Sequence, residues 1–154
     1  MPRTARADRV ERAALLDFLR PRHRAVLLTR RREGVQLSPV TYGVDGEGRV
    51  VVSTYPQRAK ARNARRDPAV SLCVLSDDFD DPWVQVDGRA EVLDLPEAIE
   101  PLVEYFRSIS GEHPDWDEYR DAMQRQGKSL LRITVERWGP VATGGFPPAG
   151  ADKD

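Results

Sequence analysis

The chain is poor in the residues that most often carry chemistry by themselves. Its 154 residues include one cysteine, Cys73, and two histidines, His23 and His113. A single cysteine excludes an intrachain disulfide and a cysteine-based metal site, and it fits a reducing cytoplasm. Mid-strand, Cys73 reads as a small core residue rather than a nucleophile. Neither histidine lies in a nucleophile motif, so a Ser/His/Asp arrangement has no support. His113, directly before Pro114, reads as a helix-capping or surface residue. There is no Walker loop and no G-x-G-x-x-G fingerprint. No apolar run approaches the roughly 20 residues that span a bilayer, and the opening Met-Pro-Arg-Thr-Ala-Arg lacks a signal-peptide core. The expectation is a cytoplasmic protein without a membrane partner. With a net charge of −1, nothing global draws the chain to nucleic acid or anionic lipid. Lysine is scarce too: among 24 basic residues only Lys60, Lys128 and Lys153 are lysines.

That scarcity gives the position of Lys60 its meaning. It lies in Gln57-Arg58-Ala59-Lys60-Ala61-Arg62-Asn63-Ala64-Arg65-Arg66-Asp67-Pro68, where no acid precedes Asp67. Just upstream, Val50 to Thr54 reads as a strand that stops at Tyr55-Pro56. A strand, a turn and a cationic helix start make a natural anion site, because free backbone N–H groups and the positive end of the helix dipole converge there. A lysine amid four arginines suits a site wanting a compact charge beside planar forks, as phosphate sites do. A solvated basic face remains the alternative reading.

The length suits one domain spanning residues 1–154, with a loose Gly/Pro/Ala-rich tail over about 145–154. Residues 8–20 read as an amphipathic helix with Val10, Ala13, Ala14 and Phe18 on its apolar side. Strands are expected at 25–29, 35–44 and 49–54, joined by tight turns into an antiparallel meander. Further strands are expected at 69–76, 83–92 and 129–137, and helices at 96–109 and from Pro114 onward. Asp77 to Pro82 is an acidic loop whose spacing does not match a calcium-binding pattern. Six strands with mostly short connections and helices at the edges predict a mainly β fold, a closed or half-closed antiparallel barrel.

Two further segments could line a ligand site beside the cationic helix. In Gln36-Leu37-Ser38-Pro39-Val40, Pro39 cannot donate to a ladder, so the strand there is an edge, a bulge or a place of ligand approach. Gln36 and Ser38 could then hydrogen-bond a flat heterocycle; an irregular edge strand is the plainer alternative. Trp83, with Gln85, falls on the polar face of its strand and needs cover, from a subunit interface or a stacked ring.

Strand–turn–Q-R-A-K-A-R-N-A-R-R-D-P–strand, followed by W-V-Q-V-D-G-R-A-E-V, resembles the split β-barrel flavin-binding proteins related to pyridoxamine 5′-phosphate oxidase. Within them it is similar to the actinobacterial branch that uses the deazaflavin coenzyme F-420, as is the segment Tyr105 to Tyr119. The resemblance covers roughly residues 8–140. It implies a six-stranded antiparallel split β-barrel and a homodimer with two cofactor sites across the interface. By position, Arg58, Ala59 and Lys60 would hold the cofactor phosphate, with Ser53 and Thr54 at the preceding strand end and Asn63 supporting the loop. Gln36, Leu37, Ser38, Pro39 and Val40 would run beside the deazaflavin ring, and Trp83, Val84 and Gln85 would come from the other subunit. The implied activity is hydride transfer from the reduced coenzyme to a small electron-poor acceptor. An FMN-binding oxidase or reductase on the same fold, or a non-catalytic cofactor binder, are the alternatives. The substrate-phosphate residues of the oxidase have no evident counterparts. Neither the resemblance nor the composition implies a metal or a nucleic-acid partner.

Overall fold

The computed structural model describes residues 5–143; the expected loose tail over about 145–154 lies outside the described residues. The elements in order are β1 (Arg6–Asp8), α1 (Arg12–Leu19), β2 (Arg24–Arg30), β3 (Val35–Val44), β4 (Val50–Thr54) and α2 (Ala59–Arg66), then β5 (Ala69–Leu75), β6 (Val84–Leu93), α3 (Ile99–Ser110), α4 (Trp116–Gln126), β7 (Ser129–Trp138) and β8 (Val141–Thr143). Six strands close into an antiparallel barrel in the order β2-β3-β4-β7-β6-β5, and β1 pairs only with β8 as a short ribbon. The architecture is the expected mainly β barrel with helices around it.

Strand alternation explains where the core sits. Leu27, Val50, Val52, Leu72, Val86 and Ile133 point into the barrel and are buried. Val51 and Leu130 point the other way, yet they are equally buried, because α3 and α4 cover that face with Leu102, Val103 and Tyr119. The strands at 50–52 and 130–131 are apolar on both faces for this reason. Each such side chain, fully buried, contributes roughly 1.5–3 kcal/mol. The β2–β3 hairpin turns at Gly34, whose φ of 83° brings its carbonyl to the Arg31 N–H at 3.1 Å. In β6 the register with β7 shifts between Asp87 and Gly88. A Cβ at Gly88 would overlap the Thr134 carbonyl oxygen, so the irregularity requires glycine.

Three expectations are corrected. The first helix is shorter than 8–20, because residues 6–8 are drawn into the β1–β8 ribbon. Its buried residues are Leu15 and Leu19, while Ala13 and Ala14 are exposed. Leu15 and Leu19 stand one turn apart and reach the barrel end, where the buried Tyr42 hydroxyl donates to the Leu19 carbonyl at 2.8 Å. Burial pushes that phenol well above its ordinary pKa. Cys73 is not a core residue. With Val70, Leu72 and Val74 inward, it falls on the outer face, half-buried between Val26 and Gln85. Burial raises its thiol pKa. Trp83 precedes β6 and makes a bridge to Ala142 instead of a ladder position. His113 accepts the Asp115 N–H at 2.9 Å, just before the Asp115 side chain caps α4.

Candidate functional site

The barrel has one place where a ladder stops early. β3 pairs with β4 only over Tyr42↔Val52, Gly43↔Val51 and Val44↔Val50, whereas β4 stays paired with β7 as far as Thr54↔Ser129. From Gln36 to Thr41, β3 has ladder partners on β2 alone. Alternate backbone N–H and C=O groups of that segment therefore face an opening. Pro39 is tolerated there because this half of β3 is an edge. Were the β3–β4 ladder to continue, Val40 would face Thr54.

The side chains around the opening leave polar groups unanswered. Ser38 Oγ and Thr54 Oγ1 are the buried side-chain polar atoms without a partner among the described residues. Thr54 itself is only 3 % exposed. Leaving a buried hydroxyl unpaired costs about 1–3 kcal/mol, so two beside one opening make it the candidate site. Gln36, Ser38 and Val40 are half-buried on the barrel side of β3, while Leu37 and Pro39 face outward and are exposed.

A relay of hydrogen bonds ties α2 to this edge. Arg66 donates to the Arg30 carbonyl at 2.8 Å and to Asn63 Oδ1 at 3.2 Å. The buried Asn63 donates from Nδ2 to Thr29 Oγ1 at 3.1 Å, and Thr29 donates to Gln36 Oε1 at 3.4 Å. Gln36 is thus held by its oxygen, and its amide N–H groups are left to donate. Arg65 bonds both carboxylate oxygens of Asp94 at 2.7 and 2.6 Å, and the Ser129 hydroxyl donates to the same carboxylate at 2.6 Å. These bonds hold the Asp94 carboxyl below the usual carboxylate range.

With Arg65 and Arg66 committed to structure, the charge at the start of α2 stands out. Arg58 occupies the N-cap position without a side-chain cap, and Ala59 and Lys60 open the helix. Arg58, Lys60 and Arg62 form no ion pair among the described residues. Lys60 is half-buried, and its pKa is lowered, first by burial and then by the positive charge of Arg58. Cations without carboxylate partners thus gather at an uncapped helix start, in the segment that follows the unpaired Thr54 hydroxyl.

Two contributors escaped the sequence reading. Lys128 Nζ donates to Ser53 Oγ at 3.3 Å and lies 4.1 Å from the centre of the Tyr55 ring. The β4–β7 pairing carries it to the mouth of the site; its rarity as a lysine was the one available signal. Tyr105 on α3 donates its hydroxyl to the Thr41 carbonyl at 2.9 Å, where β3 and β4 part. Burial raises its pKa, and a backbone hydrogen bond from Ser53 opposes the rise. Its helical spacing reads as core, with nothing to separate it from Leu102.

Trp83 and Gln85 are not brought to this group within one chain. They lie on the outward side of the sheet, with β5 and β2 between them and β3. There they line a cavity of about 370 Å³ together with Arg9, Asp87, Arg137 and Trp138. Val84 points into the barrel and is fully buried, so only its backbone could meet a ligand.

Similar architectures are known. A conserved hypothetical protein of Mycobacterium tuberculosis is 26 % identical, covers 90 % of this chain and 89 % of its own, and superposes with a TM-score of 0.73. An F420 reductase is 18 % identical over 79 % of this chain and 93 % of its own, with a TM-score of 0.60. An FAD-binding protein of Mesorhizobium loti is 17 % identical over 92 % and 98 %, with a TM-score of 0.62. The last two show the shared fold alone. Residues 12–142 match the sequence profile of pyridoxamine 5′-phosphate oxidase. That match spans the whole barrel, the opening between β3 and β4 and the cationic helix, and it establishes that this chain belongs to the pyridoxamine 5′-phosphate oxidase family.

Proposed function

We propose that the protein is an oxidoreductase that uses the deazaflavin coenzyme F-420 and passes a hydride to a small electron-poor acceptor. The observation that carries this is the set of cations without carboxylate partners, Arg58, Lys60 and Arg62, joined at the mouth by Lys128. One phosphate uses two or three such donors. A phosphate followed by a polyglutamate chain uses more, and it extends along the helix rather than ending at its start.

The residues fit such a group. Arg58, Lys60 and the first N–H groups of α2 would hold the phosphate, with Ser53 and Thr54 beside it. The Thr54 and Ser38 hydroxyls would gain the partners they lack. The flat ring would lie along β3, where the open backbone edge and the Gln36 amide offer hydrogen bonds in a plane. Held by these residues, the reduced coenzyme would supply hydride-transfer chemistry toward an electron-poor double bond, and solvent would supply the balancing proton. The protein's own part is to bind, to orient and to exclude water. Asn63 and Thr29 fix Gln36, and Tyr105 pins the point where the two strands separate.

The proposal includes a homodimer. The outer face of β2, β3 and β5 sets Leu28 beside Leu37 and Val26 between Pro39 and Cys73. Leu37 is 62 % exposed and Val35 39 %. Such a contiguous apolar face calls for cover, and a second copy seated on it would carry its Trp83 and Gln85 toward the neighbouring site. The test is a pair of titrations of the purified full chain, followed by absorbance and fluorescence. Coenzyme F-420 binds more tightly than FMN if the reading holds. Equal or tighter FMN binding overturns the choice of cofactor.

A further inference from the structure

We propose that the cavity between Trp83 and Trp138 is a binding site for a planar, conjugated carboxylate. The sequence marks Trp83 as out of place on a polar strand face, and the structure shows what surrounds it. The cavity of about 370 Å³ is bounded by two indoles, two guanidinium groups, Gln85 and Asp87. That volume suits a molecule of one or two rings.

Its walls are fixed. The Trp83 backbone exchanges two hydrogen bonds of 2.9 Å with Ala142. The Trp138 indole N–H donates to the Val10 carbonyl at 2.8 Å, which sets the plane of that ring. Gln85 donates from Nε2 to Asp87 Oδ1 at 3.1 Å, leaving its own oxygen free to accept. An indole wall held by such a bond favours a flat partner, because a ring can stack on it without loss of rotamer freedom.

The charge balance selects an anion. Asp87 is the only carboxylate lining the cavity among the described residues, and it is already engaged by Ser71 at 2.6 Å, by Gln85, and by Arg137 at 3.3 Å. These partners hold its pKa below the usual carboxylate range against the opposing effect of burial. Arg137 answers that charge. Arg9 has no partner among the described residues, and neither does the Trp83 indole N–H. The cavity therefore offers a guanidinium and an indole donor that no carboxylate among the described residues meets. A carboxylate satisfies both, while a neutral ring leaves both unanswered.

That this ligand is the hydride acceptor rests on the deazaflavin reading and its dimer, in which the cavity would face the partner's cofactor. That the cavity binds a planar anion does not. The experiment uses the full chain freed of cofactor, with 2-naphthoate, 2-naphthamide and cyclohexanecarboxylate as probes. Binding is read by tryptophan fluorescence and by calorimetry. The acid quenches the fluorescence and binds at least about tenfold more tightly than either the neutral amide or the non-aromatic acid. Arg9→Gln removes an exposed side chain and leaves the thermal melt unchanged, yet weakens naphthoate about tenfold. Trp83→Leu weakens it as well. Failure of naphthoate to bind, equal binding of the amide, or indifference to Arg9→Gln overturns the proposal. Deazaflavin affinity is measured separately on the same protein. Lost naphthoate binding with deazaflavin binding intact overturns the pocket alone, and the converse overturns the hydride-transfer reading alone.

Discussion

Replacing Lys60 by methionine separates a binding charge from a structural one. The change keeps most of the apolar stem and removes the ammonium group. In the free protein that group is half-buried beside Arg58 with no carboxylate to answer it, and both causes lower its pKa. A lysine with a lower pKa folded than unfolded opposes folding while charged, and the penalty is relieved as pH rises toward the ordinary lysine range. Lys60→Met therefore raises the melting temperature of the cofactor-free protein at neutral pH, and the advantage shrinks in alkali. Cofactor affinity moves the other way. A charge-assisted hydrogen bond contributes about 1.5–3 kcal/mol, so the dissociation constant rises by roughly ten- to hundredfold. Arg66→Ala is the control with opposite signs. It removes the bonds to the Arg30 carbonyl and Asn63, each worth about 0.5–1.5 kcal/mol, so it lowers the melting temperature and affects binding little. The assays are differential scanning calorimetry from neutral to alkaline pH and fluorescence titration of each variant. If Lys60→Met destabilises the free protein, or leaves affinity unchanged, Lys60 is an ordinary surface lysine and the phosphate site is wrong.

Three further outcomes follow from the same contacts. Asn63→Ala leaves Thr29 and Gln36 without their tie to α2 and lowers stability by about 1–3 kcal/mol by urea titration, and an unchanged midpoint would show that the relay is idle. Leu37→Glu places a charge on the exposed apolar face of β3 and shifts light scattering from dimer to monomer; a dimer that persists rules that face out as the interface. Asp94 has a carboxyl pKa depressed by Arg65 and Ser129, so its stabilisation is present above the unfolded carboxylate pKa and is lost as pH falls through the folded one. Asp94→Asn accordingly lowers the melting temperature at pH 7 and narrows the gap to wild type in acid, whereas a gap that stays constant with pH would contradict the pairing.

The sequence alone determined the six barrel strands, because alternation of side chains over 69–75 and 84–92 and the Gly-centred turn at residue 34 are local signals. It also marked the cationic stretch after β4 as a candidate anion site, since a strand, a turn and a helix start need nothing distant to converge. Only the tertiary structure decided which cations are free. Arg65 meets Asp94 and Arg66 meets the Arg30 carbonyl, across 29 and 36 residues of chain, and no spacing rule reaches that far. The same holds for Lys128, which arrives beside Ser53 from 75 residues away, and for Tyr105, whose helical spacing looks like any core position. The β1–β8 ribbon was hidden for another reason: three residues in each strand carry no period, so only their pairing made them strands. The opening itself is a register fact. β3 reads as one continuous run of ten residues, and where β4 leaves it depends on β7 holding β4 to Thr54, a competition between ladders that exists only once the barrel has closed.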